Sequence, residues 1–457
     1  MQVNGNLQPR TRPRRNLVVG LGRTGLSVAR YLSRRGESVA VVDSREAPPM
    51  LAALREELPD VAVFLGPFDG ELFRRADRIV LSPGVDPAEP AVAGARAAGV
   101  PVLGDVELFA REVRAPVVAI TGSNGKSTVT ALVGEMARRA HVDVAVGGNI
   151  GTPVLELLER PKPQLYVLEL SSFQLESTES LAPQAAVVLN VSPDHLDRHP
   201  DLDAYAAAKG RIYAHAQVQV VNRDDALAAA LARAEDAQVS FGLDTPPATR
   251  DFGLATHGDG TWLVHGRRRL LREDELALAG RHNIANALAA LALGTAVGLD
   301  MEAMVEALRA FPGLPHRTQR VAETDGVLWI NDSKATNVGA TVAALEGIAP
   351  TRPGRIVLIA GGEGKGADFA PLRGAVARHC RAVLLLGRDA PRLESALAGA
   401  APVQRVRDMR QAVRRAGRLA EPGDAVLLSP ACASWDMYPD YTVRGEDFMR
   451  EVGTWRS

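Results

Sequence analysis

The fold is decided by the stretch Val117-Val118-Ala119-Ile120-Thr121-Gly122-Ser123-Asn124-Gly125-Lys126-Ser127-Thr128, where a short apolar run leads into a loop of glycine, lysine and hydroxyl residues. The apolar run predicts a buried strand, and residues 129–133 predict a helix. Such a junction is suited to binding phosphate, because glycine lets backbone N–H groups point at anionic oxygens and the helix N-terminus carries partial positive charge. Lys126 would add a positive charge near the terminal phosphates, and the Ser127 hydroxyl would ligate magnesium.

The spacing of this loop departs from the common phosphate-loop pattern G-x-x-x-x-G-K-[ST]. Ile120 stands five residues before Gly125, where that pattern has glycine, and only Gly122 precedes Gly125 within the loop. An ordinary Gly/Ser turn before a helix is therefore an alternative interpretation. A lysine followed by two hydroxyl residues at a strand-to-helix junction favours phosphate binding.

Length and composition indicate a globular protein of several domains. A chain of 457 residues divides into about three domains, and 46% hydrophobic with 23% charged residues is ordinary for such proteins. Because 53 basic and 54 acidic side chains give a formal charge of -1, we expect no general attraction to nucleic acid or to an acidic membrane. Cys380 and Cys432 are too few for a disulfide framework or a zinc site.

The sequence also predicts a cytoplasmic location. No apolar run approaches the roughly 18 residues that span a bilayer, and the N-terminus lacks the apolar core of a signal peptide. Residues 1–15 carry Arg10, Arg12, Arg14 and Arg15 among prolines and polar residues, and we interpret them as a disordered basic leader. An arm that binds nucleic acid is the alternative interpretation of this leader.

Short β-branched runs alternate with Ala/Leu/Arg-rich helical stretches along the rest of the chain. This alternation is typical of α/β domains in which helices cover parallel sheets. Pro312, Gly313 and Pro315 indicate a linker, because proline and glycine interrupt helices and strands. We predict domains at residues 16–107, 108–313 and 314–457.

The first domain carries the pattern of a dinucleotide-binding fold. Gly20-Leu21-Gly22-Arg23-Thr24-Gly25 follows a predicted strand, and Asp43 ends the next one. The turn predicts a nucleotide-binding crevice without identifying NAD, because it suits other diphosphate nucleotides and Asp43 can accept hydrogen bonds from a ribose or a base. Ser82-Pro83-Gly84 forms another tight turn at the same edge of the sheet.

Metal-ligating residues follow strands of the second domain. Glu169 ends an apolar run, and His195 lies in a polar turn after the next one, so both are expected at the carboxyl edge of the sheet, where such folds bind ligands. Their shared position favours a metal site over a loop histidine with ordinary hydrogen bonds. Lys209 is one of the few charges on an alanine-rich helical stretch, and a solvated surface lysine is the alternative there.

From residue 16 onward the chain resembles the Mur ligase family. The resemblance is carried in order by segments 20–25, 82–84, 121–128, 147–151, 169–175, 194–198, 207–209, 282–286, 315–317, 331–337, 361–365 and 429–434. The shortened loop spacing is a feature of that family. The chain departs from it at Ser123, where the family usually has threonine, at Tyr441, where it often has phenylalanine, and in the basic leader.

This resemblance implies an N-terminal Rossmann-like domain, a central P-loop ATPase-like domain and a C-terminal Rossmann-like domain. It also implies ligation of D-glutamate to UDP-N-acetylmuramoyl-L-alanine through an acyl phosphate, in peptidoglycan precursor synthesis, by a cytoplasmic monomer that uses ATP and two magnesium ions. Phosphorylation turns a carboxylate oxygen into a leaving group, so the glutamate amine can attack.

The resemblance assigns roles to individual residues. Catalytic roles fall to Lys126, Glu169, His195 and Lys209. Ser127 and Glu169 would hold one magnesium ion, and His195 with an N-carboxylated Lys209 would hold the second. The residues implied in ATP binding are Gly122, Ser123, Asn124, Gly125, Lys126, Ser127, Thr128, Asn149, Asn283, Asn286, His316, Arg317 and Asp332. Those implied in binding the UDP substrate are Gly22, Arg23, Thr24, Asp43, Ser44, Arg45, Ser82, Pro83 and Gly84. Those implied in binding glutamate are Lys334, Thr336, Lys365, Ser434 and Tyr441.

Three alternatives stay open from the sequence. A ligase of the same fold would add another amino acid such as L-glutamate, since these residues do not reveal chirality. An NAD-dependent oxidoreductase would explain only the Gly-rich turn at residues 20–25 of the first domain. A nucleotide-binding module without catalysis would leave Glu169, His195 and Lys209 without a role.

Overall fold

The computed structural model describes residues 14–159, 161–195, 198–278, 280–349 and 353–455. Most of the predicted leader therefore lies outside the described residues. Arg15, its last residue, begins the first strand, and its guanidinium donates hydrogen bonds of 3.2 and 2.9 Å to the carboxylate of Asp77.

Strands and helices alternate through the whole described chain. The first group is β1 (Arg15–Val19), α1 (Arg23–Arg34), β2 (Ser38–Asp43), α2 (Leu51–Glu57), β3 (Ala62–Leu65), α3 (Gly70–Arg74), β4 (Arg78–Leu81), α4 (Pro90–Ala97), β5 (Val102–Leu103) and α5 (Asp105–Glu112). The second is β6 (Val117–Thr121), α6 (Lys126–Arg139), β7 (Val144–Gly148), α7 (Val154–Leu157), β8 (Leu165–Glu169), α8 (Ser172–Glu176), β9 (Ala185–Val188), α9 (Leu202–Gly210), β10 (Val218–Asn222), α10 (Ala226–Ala230), β11 (Gln238–Phe241), β12 (Phe252–His257), β13 (Gly260–His265), β14 (Arg268–Arg272), α11 (Arg281–Ala296) and α12 (Met301–Ala310). The third is β15 (Gln319–Thr324), β16 (Val327–Asn331), α13 (Val338–Ile348), β17 (Ile356–Gly361), α14 (Leu372–His379), β18 (Cys380–Leu386), α15 (Ala390–Ala396), β19 (Val403–Arg405), α16 (Met409–Leu419), β20 (Ala425–Leu428) and α17 (Tyr441–Trp455).

The chain forms two compact units. The first comprises residues 1–119 and 144–183, and the second comprises residues 120–143 and 184–457. In the first unit, β3, β2, β1, β4 and β5 form a parallel sheet in that order. This is the strand order of a dinucleotide-binding fold, so the Rossmann-like prediction is confirmed for this part of the chain. Strands β7 and β8 form a second parallel pair in the same unit.

The second unit contains two further groups of strands. Strands β9, β10, β11 and β12 pair in parallel, with β10 between β9 and β11 and β11 between β10 and β12, and β13 pairs antiparallel with both β12 and β14. The other group has the order β15-β16-β20-β17-β18-β19, with only β15 antiparallel among these strands. The predicted α/β class is confirmed, and the boundaries at residues 107 and 313 stay predictions.

The sequence analysis missed the antiparallel strands β12 to β14. Strand β14 has the sequence Arg-Arg-Leu-Leu-Arg, and its arginines lie at least partly exposed while Leu270 and Leu271 are buried. A strand of this kind lacks the long apolar run that marks a strand buried on both faces, because only two of its five residues are apolar.

Two expectations from composition can be compared with the structure. Cys380 and Cys432 are both buried, unpaired cysteines. Within the described ranges, no helix combines the length and the apolar character that crossing a membrane requires.

Gly25 provides a test of the packing in the first unit. A Cβ atom there would lie 1.9 Å from the carbonyl oxygen of Gly20, and backbone must move to relieve that overlap. We expect Gly25→Ala to lower the melting temperature by roughly 5 °C or more, measured by calorimetry without ligands. Gly22→Ala is the matched control, because a Cβ at Gly22 has no atom within 4 Å. Equal melting temperatures for the two variants would contradict this account of the turn.

Candidate functional site

The predicted phosphate loop has the expected strand–loop–helix structure. Strand β6 ends at Thr121 and helix α6 begins at Lys126. Gly122 and Gly125 have φ angles of 150° and 83°, which residues with a side chain rarely adopt. A Cβ on Gly125 would also lie 2.4 Å from Oδ1 of Asn286, so glycine is required there for both reasons.

Two lysine ammonium groups converge on one carbonyl oxygen of this loop. Nζ of Lys126 donates to the oxygen of Gly122 at 2.7 Å, and Nζ of Lys209 donates to the same oxygen at 2.9 Å. Lys209 is only 1% exposed, and its Nζ lies 4.3 Å from the centre of the Tyr205 ring. The structure therefore places Lys209 at the phosphate loop and excludes a solvated surface position.

The segment after β9 holds the loop in place. The backbone N–H of Asn124 donates to Oδ1 of Asn190 at 2.8 Å, and Nδ2 of Asn190 donates to the oxygen of Asn124 at 3.0 Å. The Ser123 hydroxyl donates to the oxygen of Ser192 at 3.0 Å. The sequence indicated a polar turn here but gave Asn190 no role, because its two bonds depend on how β6 and β9 are placed.

His195 lies in the same region, on strained backbone. It has a φ of 56°, and its backbone N–H donates to Oδ1 of Asp194 at 2.9 Å. The other oxygen of Asp194 accepts a 2.9 Å bond from Nδ2 of Asn337, which also donates to Oδ1 of Asn124 at 3.2 Å. Asn337 thus connects the turn of His195 with the phosphate loop, a role that the sequence did not reveal. Leu196 and Asp197, which belong to the resemblance, lie outside the described residues.

A cavity of about 330 Å³ in the second unit lies beside the phosphate loop. It is lined by seven of the residues predicted to bind ATP, namely Asn124, Gly125, Thr128, Asn283, Asn286, Arg317 and Asp332. Arg317 donates from Nη2 to the Ser127 hydroxyl at 2.6 Å, which places the arginine at the first turn of α6. His316 is not among the described residues that line the cavity. His282, which does line it, had no predicted role.

Asp332 contributes a buried carboxyl group to this cavity. Its Oδ2 accepts a 2.9 Å bond from the Ser429 hydroxyl, and its Oδ1 accepts a 3.1 Å bond from the backbone N–H of Thr318. Burial nevertheless raises the pKa of Asp332 to about 7, against the opposing effects of these bonds and of the Arg317 charge. The group therefore titrates near neutral pH when the cavity holds no ligand.

The first unit has its own cavity, of about 500 Å³. All the residues predicted to bind the UDP substrate line it: Gly22, Arg23, Thr24, Asp43, Ser44, Arg45, Ser82, Pro83 and Gly84. Asn149, which was predicted near ATP, also lines this cavity, together with Gln174. The structure thus gathers the whole predicted set at the carboxyl ends of β1, β2 and β4.

Asp43 organises the turn at the base of this cavity. Its carboxylate accepts bonds of 2.8 and 2.7 Å from the Arg45 guanidinium and one of 2.7 Å from the backbone N–H of Leu21. Burial alone would raise the pKa of Asp43, but these bonds outweigh it and lower the pKa to about 2. Asp43 is therefore an anion at any pH at which the protein would be assayed.

Glu169 and Asn149 form a pair within the first unit. Nδ2 of Asn149 donates to Oε1 of Glu169 at 2.8 Å, and the backbone N–H of Asn149 donates to the backbone oxygen of Glu169 at the same distance. The side chain of Glu169 is almost fully buried, and a Cβ on Gly148 would lie 2.3 Å from its backbone oxygen. The close pairing of β7 with β8 therefore fixes this carboxylate.

Two of the residues predicted to bind glutamate are lysines that lie over aromatic rings. Nζ of Lys334 is 4.1 Å from the centre of the Tyr441 ring, and Nζ of Lys365 is 4.3 Å from that of Trp435. Trp435 is 63% exposed, which is unusual for so large a side chain. The sequence gave it no role.

Arg444 joins two loops that carry residues predicted to bind the substrate glutamate. Its guanidinium donates to the hydroxyl and the backbone oxygen of Ser333 at 3.0 and 2.8 Å, and to the oxygen of Cys432 at 3.1 Å. Ser333 precedes Lys334, and Cys432 lies two residues before Ser434. Burial lowers the pKa of Arg444 to about 10, so the cation is retained at neutral pH.

Three family models match the chain. They are described as the Mur ligase MurD-like N-terminal domain at residues 14–104, the Mur ligase middle domain at 120–294 and the Mur ligase glutamate ligase domain at 316–432.

Similar proteins cover nearly the whole chain. The UDP-N-acetylmuramoylalanine--D-glutamate ligase of Nitrosococcus oceani is 56% identical over 450 residues, 98% of each chain. The protein of the same name from Marinobacter nauticus is 56% identical over 436 residues, 95% of this chain and 97% of that one. Among solved structures, a pseudomurein peptide ligase type C from Methanothermus fervidus has a TM-score of 0.63 at 19% identity, over 97% of this chain and 100% of that chain, and this supports the fold.

The raised pKa of Asp332 predicts a pH-dependent stability. The folded protein holds this proton up to about pH 7, and the unfolded chain loses it near 3.8, so the stabilising contribution is present below about pH 4 and is lost as the pH rises through 7. We expect the melting temperature of the ligand-free wild type, relative to Asp332→Asn, to fall over that range. Asp43→Asn is the control: since the pKa of Asp43 is about 2, its difference from wild type should stay constant above about pH 5. A constant difference for Asp332→Asn would contradict this assignment.

Proposed function

Because this chain belongs to the Mur ligase family, we propose that it joins D-glutamate to UDP-N-acetylmuramoyl-L-alanine, with conversion of ATP to ADP and phosphate. The observation that carries the proposal is the 56% identity with a ligase of that name over 98% of both chains. Family membership also argues against an NAD-dependent oxidoreductase and a module without catalysis. We further propose that the chain acts as a cytoplasmic monomer.

The proposed reaction has two chemical steps. A carboxylate oxygen of the alanyl group attacks the terminal phosphorus of ATP, the bond to ADP breaks, and an acyl phosphate results. The glutamate amine then attacks the acyl carbon, phosphate leaves, and the amine loses a proton as the amide forms. Both steps concentrate negative charge on phosphoryl oxygens, so cations and N–H donors near them accelerate the reaction.

The second unit supplies the groups that would handle ATP. The backbone N–H groups of Ser123 and Asn124 donate to Asn190 in this loop, so the phosphates would meet the ammonium of Lys126, which lies against the loop, and the N-terminus of α6. Arg317 reaches the first turn of α6 and adds a second cation. Asn283, Asn286 and Asp332 line the adjoining cavity and would contact the nucleoside.

We propose two magnesium ions, one with Ser127 among its ligands and the other held by His195 and a modified Lys209. Hydroxyl and carboxylate oxygens suit this hard cation. Among the described residues, no cluster of three or more His, Cys, Asp or Glu side chains forms a metal site, and the proposed sets do not need one because they include a hydroxyl and a modified lysine. Bound magnesium would neutralise charge on the transferred phosphoryl group.

The geometry at Gly122 supports N-carboxylation of Lys209. Two ammonium groups on one carbonyl oxygen repel each other, and that repulsion is strong where one of them is buried. The Lys209 ammonium first loses a proton, the neutral amine then adds carbon dioxide with formation of an N–C bond, and a second proton leaves, so the cation becomes an anion. The nitrogen keeps one N–H, so its bond to Gly122 can persist while the new carboxylate attracts Lys126 and a metal ion.

The predicted third domain, residues 314–457, would bind glutamate. Lys334 and Lys365 provide two cations for a substrate with two carboxylates. Thr336 and Ser434 would add hydroxyl donors, and Arg444 fixes the loops that carry Lys334 and Ser434. The Tyr441 phenol adds a polar group beside Lys334.

An assay of phosphate release tests the proposed function. We expect release only when ATP, magnesium, UDP-N-acetylmuramoyl-L-alanine and D-glutamate are all present, and Lys126→Ala should abolish it because the cation next to the phosphates is lost. L-glutamate is the matched control for the acceptor. No release with the full set would contradict the proposal, and equal release with L-glutamate would favour the alternative ligase.

A further inference from the structure

His316 lies on strained backbone against two polar neighbours. The backbone φ of His316 is 62°, a left-handed conformation that residues other than glycine rarely adopt, and the residue is 6% exposed. Nδ1 of its ring is 3.0 Å from Nδ2 of Asn331, at the end of β16. Gly445 of α17 packs against the same edge of the ring, where a Cβ would lie 2.2 Å from Nδ1. The ring can occupy this position only because residue 445 is glycine.

The amide of Asn331 has one orientation that satisfies its neighbours. Its Oδ1 accepts a 3.1 Å bond from the backbone N–H of Ser333, which can only donate. Its Nδ2 faces the backbone oxygen of Gly445 at 3.3 Å, which can only accept. The group that faces Nδ1 of His316 is therefore an N–H donor, and Asn331 is completely buried, so no water replaces these partners.

We infer that Asn331 is a positioning residue that fixes His316 as the neutral tautomer with its proton on Nε2. In this form His316 serves a substrate as a hydrogen-bond donor to an anionic oxygen and not as a base. Nδ1 must accept the bond from Asn331, so it carries no proton. A neutral ring then carries its single proton on Nε2, which leaves no acceptor nitrogen for the glutamate amine. The inference rests on the proposed function only in its choice of substrate.

The surroundings of the ring support the neutral form. Burial lowers the pKa of His316 and outweighs the charges of Glu446 and Asp440, which raise it. The imidazole also meets the Tyr441 ring edge-on, with centres 6.2 Å apart, and Nζ of Lys334 lies over that same ring. The imidazole ring and the Lys334 cation therefore both lie beside the Tyr441 side chain, and Lys334 lines the cavity of about 330 Å³.

Nitrogen NMR of the imidazole tests the tautomer without any assay of activity. In ¹⁵N-labelled wild-type protein at neutral pH, we expect an unprotonated, pyridine-type Nδ1 and a protonated, pyrrole-type Nε2 for His316, with the signals assigned by their loss in His316→Ala. Asn331→Asp, whose carboxylate can only accept, should protonate Nδ1. Asn16→Asp is the control, since Asn16 is a buried asparagine of the first unit that donates to the backbone oxygens of Arg14 and Ser38. A protonated Nδ1 in the wild type would overturn the inference even if the protein proves to be a different ligase.

Kinetics of two His316 variants test the donor role. We expect His316→Ala to raise the KM for D-glutamate or for ATP by roughly tenfold, and His316→Gln, which keeps an N–H donor, to recover most of that loss. A rise for D-glutamate identifies a carboxylate as the acceptor, and a rise for ATP identifies a phosphate. Glutamine no better than alanine would overturn the donor role.

Discussion

The carbonyl oxygen of Gly122 is the point on which the site depends. Lys126 approaches it from α6 and Lys209 from α9, two helices that the chain places far apart in sequence. Gly122 has a φ of 150°, a value that residues with a side chain rarely adopt. One backbone acceptor thus collects two cations beside the phosphate loop, and conversion of one of them into an anion would turn their mutual repulsion into attraction.

Further hydrogen bonds within the second unit stabilise this loop. Asn190 and Ser192, after β9, bond to Asn124 and Ser123, and Asn337 of the third strand group bonds to Asn124 as well. The loop is therefore fixed from more than one side before any nucleotide binds, which lowers the entropy lost on binding. Asn331 acts similarly on His316, because its buried amide faces Nδ1 of the imidazole ring.

The sequence was sufficient for the α/β class and for the phosphate loop, because buried parallel strands and a Gly-Lys-Ser junction leave local patterns. The residues predicted to bind the UDP substrate line one cavity of the first unit, because their turns lie at strand ends. The sequence did not reveal β14, whose arginines interrupt the apolar pattern, and it gave no role to Asn190, Asn337, Arg444 or Trp435. These side chains act through partners distant in sequence, so their roles emerge only from the fold. The assignments of individual residues to ATP, magnesium and glutamate stay proposals.

Carbon NMR of the modified lysine tests the central claim most directly. Protein equilibrated with ¹³C-labelled bicarbonate should give a carbamate carbon signal that is absent from Lys209→Ala and retained in Lys126→Ala. That result would establish that the charge at Lys209 is reversed while its partner at Gly122 stays a cation. No carbamate signal in the wild type, or one that survives in Lys209→Ala, would contradict the account.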